Sequence, residues 1–283
     1  MANELKEKEK LPFSVVLHSD AMKNLINNTL GDPNVSRQFV ADISAVVANN
    51  SAIKECEPNT IITAGLTAAS IKLPLAGDLG FAYVVPFKDR KTGIKKAQFQ
   101  IGWKGLVQLA QRSGQFKTLG VRPVHKGEYK GQDPNTGEDE FFFSHDFDNE
   151  EVVGYRAYFE LINGFQKSLY MTKNQCLAHA TKYSQSYKFD KDKTTLWNTE
   201  FDTMAEKTVL KLLLKRFAPM SIEMQKAILA DQAVVNEDGT YEYVDNEKAT
   251  KTNVYNSLSE VKEEDVKESE KVVEAEVVDE DFF

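Results

Sequence analysis

A chain of 283 residues, 41% hydrophobic and 28% charged, is long enough to bury a core without disulfides or metals, as one large domain or two smaller ones. No apolar run reaches the ~18–20 residues of a membrane span, the opening MANELKEKEK lacks a signal core, and Cys56 and Cys176 form no pairing or zinc motif. The expected location is the cytoplasm with no membrane partner, and the net charge of −8 hides a segregated distribution.

The first elements read as short helices. Ser19 caps one through Leu30, with Met22, Leu25 and Ile26 inward. Asp32-Pro33 supplies the cap and first position of a second, in which Val35, Phe39, Ile43, Val46 and Val47 recur at helical spacing to about Ala48. A third starts at Pro58 and carries Ile61, Ile62 and Ala69. A β-rich middle follows. Residues 81–87 and 95–101 read as a hairpin, and residues 102–113 as a helix ended by Gly114. Residues 119–124, 140–147, 152–162 and 165–170 read as further strands, and Asn163-Gly164 is a hairpin turn. Thr172 to Gln175 matches a capping box that opens a helix to about Tyr183. A polar loop spans residues 184–193, a long helix runs from about Leu196 to Phe217, and a last one spans roughly residues 222–234. Beyond Asn236 aliphatic periodicity is lost and Glu, Asp, Lys and Ser dominate, the composition of disorder. The expected organisation is an N-terminal helical segment (1–30), a main domain (31–235) and a disordered acidic tail (236–283).

Charge follows the same division. Residues 231–283 carry five lysines against seventeen acidic residues, net −12, whereas residues 1–230 are net +4. Within the latter, residues 88–130 hold eleven Lys and Arg against Asp89 and Glu128. A basic segment beside an acidic tail suggests a polyanion partner, with a solvated basic surface as the alternative.

Several chemistries are missing. None of the 15 glycines precedes a lysine, which excludes the Gly-Lys-Ser/Thr phosphate loop. His18, His125, His145 and His179 lack metal-ligand spacing, and no Gly-x-Ser-x-Gly elbow exists. Residues 133–139 resemble part of a calcium loop, but Gly137 is fifth rather than sixth and strand-like residues follow, so a hairpin tip is expected. Asp89 with Glu128-Tyr-Lys130 echoes nucleases that hold magnesium between carboxylates, which leaves a magnesium-dependent nuclease as an alternative reading.

Basic and aromatic residues interleave instead: Lys95, Lys96, Phe99, Trp103, Lys104, Arg112, Lys117, Arg122 and Lys126. Cations neutralise phosphates and release counterions. Aromatic faces stack on any base, at roughly 1–3 kcal/mol each. Lys104, Gln108 and Arg112 share one helical stripe opposite Leu106, Leu109 and Ala110. Later, Lys207, Lys211 and Lys215 form a second stripe opposite Val209, Leu213 and Phe217, with Arg216 between the faces. Lys182, Tyr183, Tyr187 and Lys188 supply a third wall, and Trp197 reads equally as core or as DNA contact.

Residues 65–80 (GLTAASIKLPLAGDLG) with Ala82–Pro86, residues 102–114 (GWKGLVQLAQRSG), and residues 197–209 (WNTEFDTMAEKTV) leading into residues 216–221 (RFAPMS) resemble the RecT family of phage and prophage annealing proteins over roughly residues 35–225. The resemblance implies an ATP-independent protein that forms rings or filaments on single-stranded DNA, anneals complementary strands to duplex, and works with a partner exonuclease. It implies no bond-making chemistry and no cofactor, magnesium at most assisting DNA pairing without a dedicated protein site. By analogy the fold is α+β, a hairpin-rich sheet packed with helices. A passive single-strand protector is a third reading.

Asp279, Glu280, Asp281, Phe282 and Phe283 resemble the C-terminal tip of bacterial single-strand-binding proteins, which would make them a recruiting peptide for a replication protein or exonuclease. The tail reads equally as a competitor for the protein's own basic groove or as a solubiliser. Under self-competition, deleting residues 236–283 raises DNA affinity at low salt, and the gain fades as salt rises. Under recruitment, Phe282→Ala with Phe283→Ala leaves DNA affinity intact and weakens partner pulldown. A deletion that moves neither readout leaves a solubilising tail.

Overall fold

The computed structural model describes residues 11–243 apart from 76–78, 90, 91, 190 and 237. The tail beyond Tyr243, with the proposed recruiting residues Asp279–Phe283, lies outside the described residues.

Five helices lead: α1 (Phe13–Leu17), α2 (Asp20–Leu30), α3 (Pro33–Asn49), α4 (Ser51–Lys54) and α5 (Pro58–Ser70). The expected caps are present. The Ser19 hydroxyl accepts from the Met22 amide, and Asp32 accepts from the Asn34 amide with Pro33 at the first helical position. Burying Met22, Ile26, Phe39, Ile43 and Val47 orients these helices around α5, itself buried on nearly every side. Val35 departs from its pattern and is exposed.

The first hairpin is β1 (Ala82–Lys88) with β2 (Lys95–Ile101), in register Ala82↔Ile101 to Lys88↔Lys95. Helix α6 (Trp103–Arg112) follows, its Leu106, Leu109 and Ala110 buried as the periodicity requires. A Cβ on Gly102 would stand 1.9 Å from the Gly80 carbonyl, and one on Gly105 2.2 Å from that of Phe81, so two backbones touch where only glycine fits.

Three strands form the main sheet, β3 (Phe116–His125), β6 (Val152–Leu161) and β7 (Gln166–Thr172), antiparallel in the order β3-β6-β7. The Asn163-Gly164 turn joins β6 to β7, with Gly164 at φ 86°. A separate ribbon, β4 (Tyr129–Gln132) with β5 (Asp139–Phe141), projects between β3 and β6 in sequence. Its tip is residues 133–138, where Asp133 accepts from the Asn135 and Thr136 amides. The strand expected over 140–147 is thus only Asp139–Phe141. A 3-10 turn, His145–Phe147, replaces its end, with the Ser144 hydroxyl accepting from the Asp146 amide.

Helix α7 (Lys173–Tyr183) opens on the predicted capping box. The following loop contains a short helix, α8 (Gln185–Lys188). The long helix expected from Leu196 is two: a turn, α9 (Leu196–Thr199), a break at Glu200 (φ −133°, ψ 52°), then α10 (Phe201–Phe217). The break accompanies burial of Trp197 between Tyr187 and Phe201. After α11 (Ile222–Ala230), β8 (Val234–Val235) pairs with β9 (Tyr241–Glu242). This hairpin occupies the stretch where composition predicts the tail to begin. Thr63 donates its hydroxyl to the Val235 carbonyl, and the Tyr243 hydroxyl donates to that of Leu229. A tail deletion that spares the fold therefore starts after Tyr243. Among the described residues no helix is long and apolar enough to cross a membrane.

Helix α10 lies against β3, β6 and β7, and Val209 and Leu213 meet the inner face of the sheet, where Tyr155, Ala157, Phe159 and Leu161 are buried. On another side of α10 sits Asp231, fully buried, accepting from Lys207 (3.4 Å), Lys211 and the Ile101 amide (3.1 Å). Burial pushes its carboxyl up, but Lys207, Lys211 and the amide outweigh that and hold it below the ordinary value. Asp231→Ala strands two lysines around an empty site, so it should destabilise the fold by about 3–5 kcal/mol in urea unfolding at neutral pH. A carboxyl with a lowered folded value stabilises above its unfolded value and stops doing so as pH falls through the folded one. The gap between variant and parent should accordingly narrow below about pH 4.

Candidate nucleic-acid interface

The basic and aromatic residues singled out in the sequence divide by burial and pairing. Phe99 is fully buried in the core, and its carbonyl accepts from the Gln232 amide, so no base can stack on it. Lys95 pairs with Glu55. Lys96, 16% exposed, lies 3.8 Å from Asp89 and 3.1 Å from Glu242, so its charge is spent inside the protein. Lys207 and Lys211 are committed to Asp231. The expected solvent stripe on α10 fails because that helix is covered on two sides, with Leu210 and Leu214 beside the lysines also buried. Trp197, 6% exposed, is core.

Arg112 is exposed but donates to the Ile71 carbonyl at 2.8 Å, so part of its guanidinium closes the end of α5. Trp103 is half-buried and Lys104 exposed on the first turn of α6. Lys182, Lys188, Lys215 and Arg216 are exposed, three of them beside aromatic rings: Lys182 over Tyr183 at 5.1 Å, Lys188 over Phe189 at 5.6 Å, Arg216 over Phe217 at 5.1 Å. Lys117 pairs with Glu160 across β3 and β6 at 2.7 Å. Near the α7 cations, His179 is pushed down to about 4 by burial, Lys211 and Lys182, so it is neutral at physiological pH. Burial raises the Cys176 thiol to about 11, which leaves it unreactive.

The structure concentrates charge and rings at a place the sequence reading caught only through Arg122 and Lys117: the outer face of the main sheet. Strand alternation sends Tyr155, Ala157, Phe159 and Leu161 inward, so Gly154, Arg156, Tyr158 and Glu160 face out. Register then sets Arg156 between Arg122 on β3 and Tyr170 on β7, and Tyr158 between Gly120 and Ser168. A Cβ on Gly120 would stand 2.8–3.0 Å from the Tyr158 phenol, and one on Gly154 2.5–2.6 Å from that of Tyr170. Both rings therefore lie across a strand that has no side chain at that position. Tyr129 stacks on Tyr170 at 5.0 Å and 21°, and Phe141 meets the same ring edge-on at 5.4 Å.

Like charges directly opposite on a sheet repel, and this face resolves the conflict with rings. Arg122 lies 3.9 Å from the Phe143 centroid, while Arg156 lies 4.8 Å from Phe141, 5.7 Å from Phe143 and 5.5 Å from Tyr158. Arg122 also donates to Glu128 at 3.1 Å, a fully buried carboxylate whose other oxygen accepts from the His125 amide at 2.7 Å. Arg156 has no carboxylate at ion-pair distance among the described residues, and its Nε is buried without a hydrogen-bond partner. Burial holds its guanidinium below the ordinary value, Arg122 adding to the shift and Tyr158 and Asp139 opposing it. Arginine stays charged regardless. A planar cation with no carboxylate at ion-pair distance among the described residues, beside a tyrosine that is 36% exposed, suits a phosphate and an adjacent base.

The carboxylates of the nuclease alternative are otherwise engaged. Glu128 is taken by Arg122 and the His125 amide, and Asp89 accepts from the Thr92 amide and faces Lys96. Lys130 donates to the Gly127 carbonyl at 2.7 Å. Among the described residues no group of three or more His, Cys, Asp or Glu could hold a metal ion. Arg156, Tyr158 and Tyr170 were legible as an alternating strand but sit outside the basic run of 88–130.

The profile of the RecT family matches residues 37–273. The Bacillus subtilis (strain 168) protein named "Uncharacterized protein YqaK" is 38% identical over 220 residues, 76% of this chain and 72% of its own. "Protein RecT" of Escherichia coli (strain K12) is 27% identical over 220 residues, 76% of this chain and 78% of its own. On the extent of the profile match and the first of these likenesses, the chain belongs to the RecT family.

Proposed function

We propose that this protein binds single-stranded DNA on the outer face of the β3-β6-β7 sheet and anneals it to a complementary strand without ATP. Family membership supports single-strand annealing in recombination, DNA binding and self-assembly. The observation that carries the location is Arg156, a charged side chain beside an open tyrosine ring, with no carboxylate at ion-pair distance among the described residues. The exposed cations Lys104, Lys182, Lys188, Lys215 and Arg216 extend the electrostatic surface.

Annealing forms and breaks no bond in the DNA backbone, so no catalytic residue is needed. Two polyanions repel, and a protein that neutralises phosphates on one strand lowers the barrier to the other's approach. Base pairing supplies the specificity. Head-to-tail contacts between copies would extend the binding face as a ring or helical filament. The single strands would come from a partner exonuclease, and magnesium would act on the DNA alone.

Two measurements test this. Mixing the protein with complementary oligonucleotides should speed duplex formation equally with and without ATP and leave strand length unchanged. A strict nucleotide requirement, or shortened strands, defeats the reading. Arg156→Ala should weaken single-strand binding and lower the log–log salt slope by about 0.7, one phosphate contact. Tyr158→Ala should cost roughly 1–3 kcal/mol with the slope nearly unchanged. If neither variant alters binding, this face is not the interface.

A further inference from the structure

The β4–β5 ribbon is attached to the sheet face in an unusual way. It forms its own two-stranded sheet, so no strand ladder ties it to β3, β6 or β7. Its contacts are made by ring faces and one tip ion pair. At the tip, Lys167 of β7, whose register opposite Phe159 sets it on the α10 side, reaches Glu138 at 2.7 Å and the Phe217 ring at 5.7 Å, while on the outer face Tyr129 covers Tyr170 and Phe141 and Phe143 cover Arg156 and Arg122. These are the surfaces that stacked bases would need. Two backbone positions that only glycine adopts readily belong to the ribbon, Gly127 at φ 95° just before it and Gly131 at φ 122° within β4. Within the ribbon, Asp139 accepts from the Tyr129 hydroxyl and the Gln132 amide, so it holds its own shape.

Resting on the sheet-face reading above, we propose that nucleobases enter beneath this ribbon. They take the places of Phe141 and Phe143 against Arg156 and Arg122, and the ribbon closes over the strand as a strap. The exchange is favourable because like replaces like. A base offers the guanidinium a π face comparable to phenylalanine's, and the phosphate that follows it adds a direct ion pair, for which Arg156 has only the more distant Asp139. Breaking the ribbon's dock costs a few ring contacts and one exposed ion pair, both small terms. The ligand class is a single strand of any sequence, since ring faces do not distinguish bases. A duplex, whose bases are already stacked on each other, has no free faces to trade.

Fixing the ribbon to the sheet tests this. In Glu138→Cys with Lys167→Cys, a short bis-methanethiosulfonate reagent bridges the two positions and reductant reopens them. The native thiols do not interfere, since Cys56 and Cys176 are buried. The unbridged variant, which has lost the tip ion pair, should bind fluorescent oligothymidine at least as tightly as the parent. The bridged form should bind at least roughly tenfold more weakly, the loss of about one stacked base, and reductant should restore it. Equal binding before and after bridging overturns the strap. Arg156→Ala, measured alongside, separates the two failures. If it weakens binding while the bridge does nothing, the face stands and the strap falls. If it too does nothing, the face falls with it.

Discussion

A three-stranded sheet has two faces, and α10 covers one. Alternation along β6 gives the covered face Tyr155, Ala157, Phe159 and Leu161, a continuous apolar strip that needs a helix and has one. The other face then has to be compatible with water while sitting on the same rigid strand. Apolar residues there would invite aggregation, and ordinary charged residues would leave it featureless. This chain places two arginines opposite each other and lays tyrosine rings over glycines instead. The result is flat, charged and held to register by the buried side. On the proposed reading, function is carried on a strand, not a loop, and inherits its precision from the core.

That arrangement has an energetic cost, visible in how the charges are managed. Cross-strand Arg122 and Arg156 repel, and only Arg122 receives a carboxylate, Glu128, at the price of burying it completely. Elsewhere the same chain does the opposite. Asp231 absorbs two lysines, and Lys96 is held between Asp89 and Glu242. The cations of the body are thus of two kinds, those neutralised to hold the fold and those left without a partner. Overall net charge says nothing about which is which, and neither does local density, since Lys95 and Lys96 belong to the densest basic run yet both are paired.

The helices and hairpins were legible because their signals are local. Ser19, Asp32-Pro33, Asn163-Gly164 and the Thr172 capping box act within four residues of themselves, and each works as the sequence implies. What was illegible depends on distant partners. Lys207 and Lys211 lie at faultless solvent-stripe spacing, and nothing nearby reveals that Asp231, twenty or more residues on, folds back beneath them. Phe99 looks like an interleaved aromatic because β2 alternates, but both sides of that strand are covered. The break at Glu200 likewise follows from where Trp197 packs and not from the residue types around it. The outer sheet face could have been read from the alternation of residues 152–161. It was missed because basic residues were sought by density, and Arg156 stands alone in sequence.

A face of rings and guanidinium groups also fits what annealing demands of a binding surface. A protein that reads bases through hydrogen bonds occupies the edges needed for pairing. Stacking and phosphate neutralisation use the other parts of the nucleotide, the π faces and the backbone, and leave the pairing edges outward. The grip must also be loose enough to give way, since a base that stacks into the forming duplex leaves the ring it rested on. Contacts of one to three kcal/mol per base, distributed along a strand, satisfy both conditions: firm in sum, surrendered one at a time. On this view the useful property of Tyr158 is that its contact is weak and indifferent to sequence. The free energy of pairing alone then decides which strand stays.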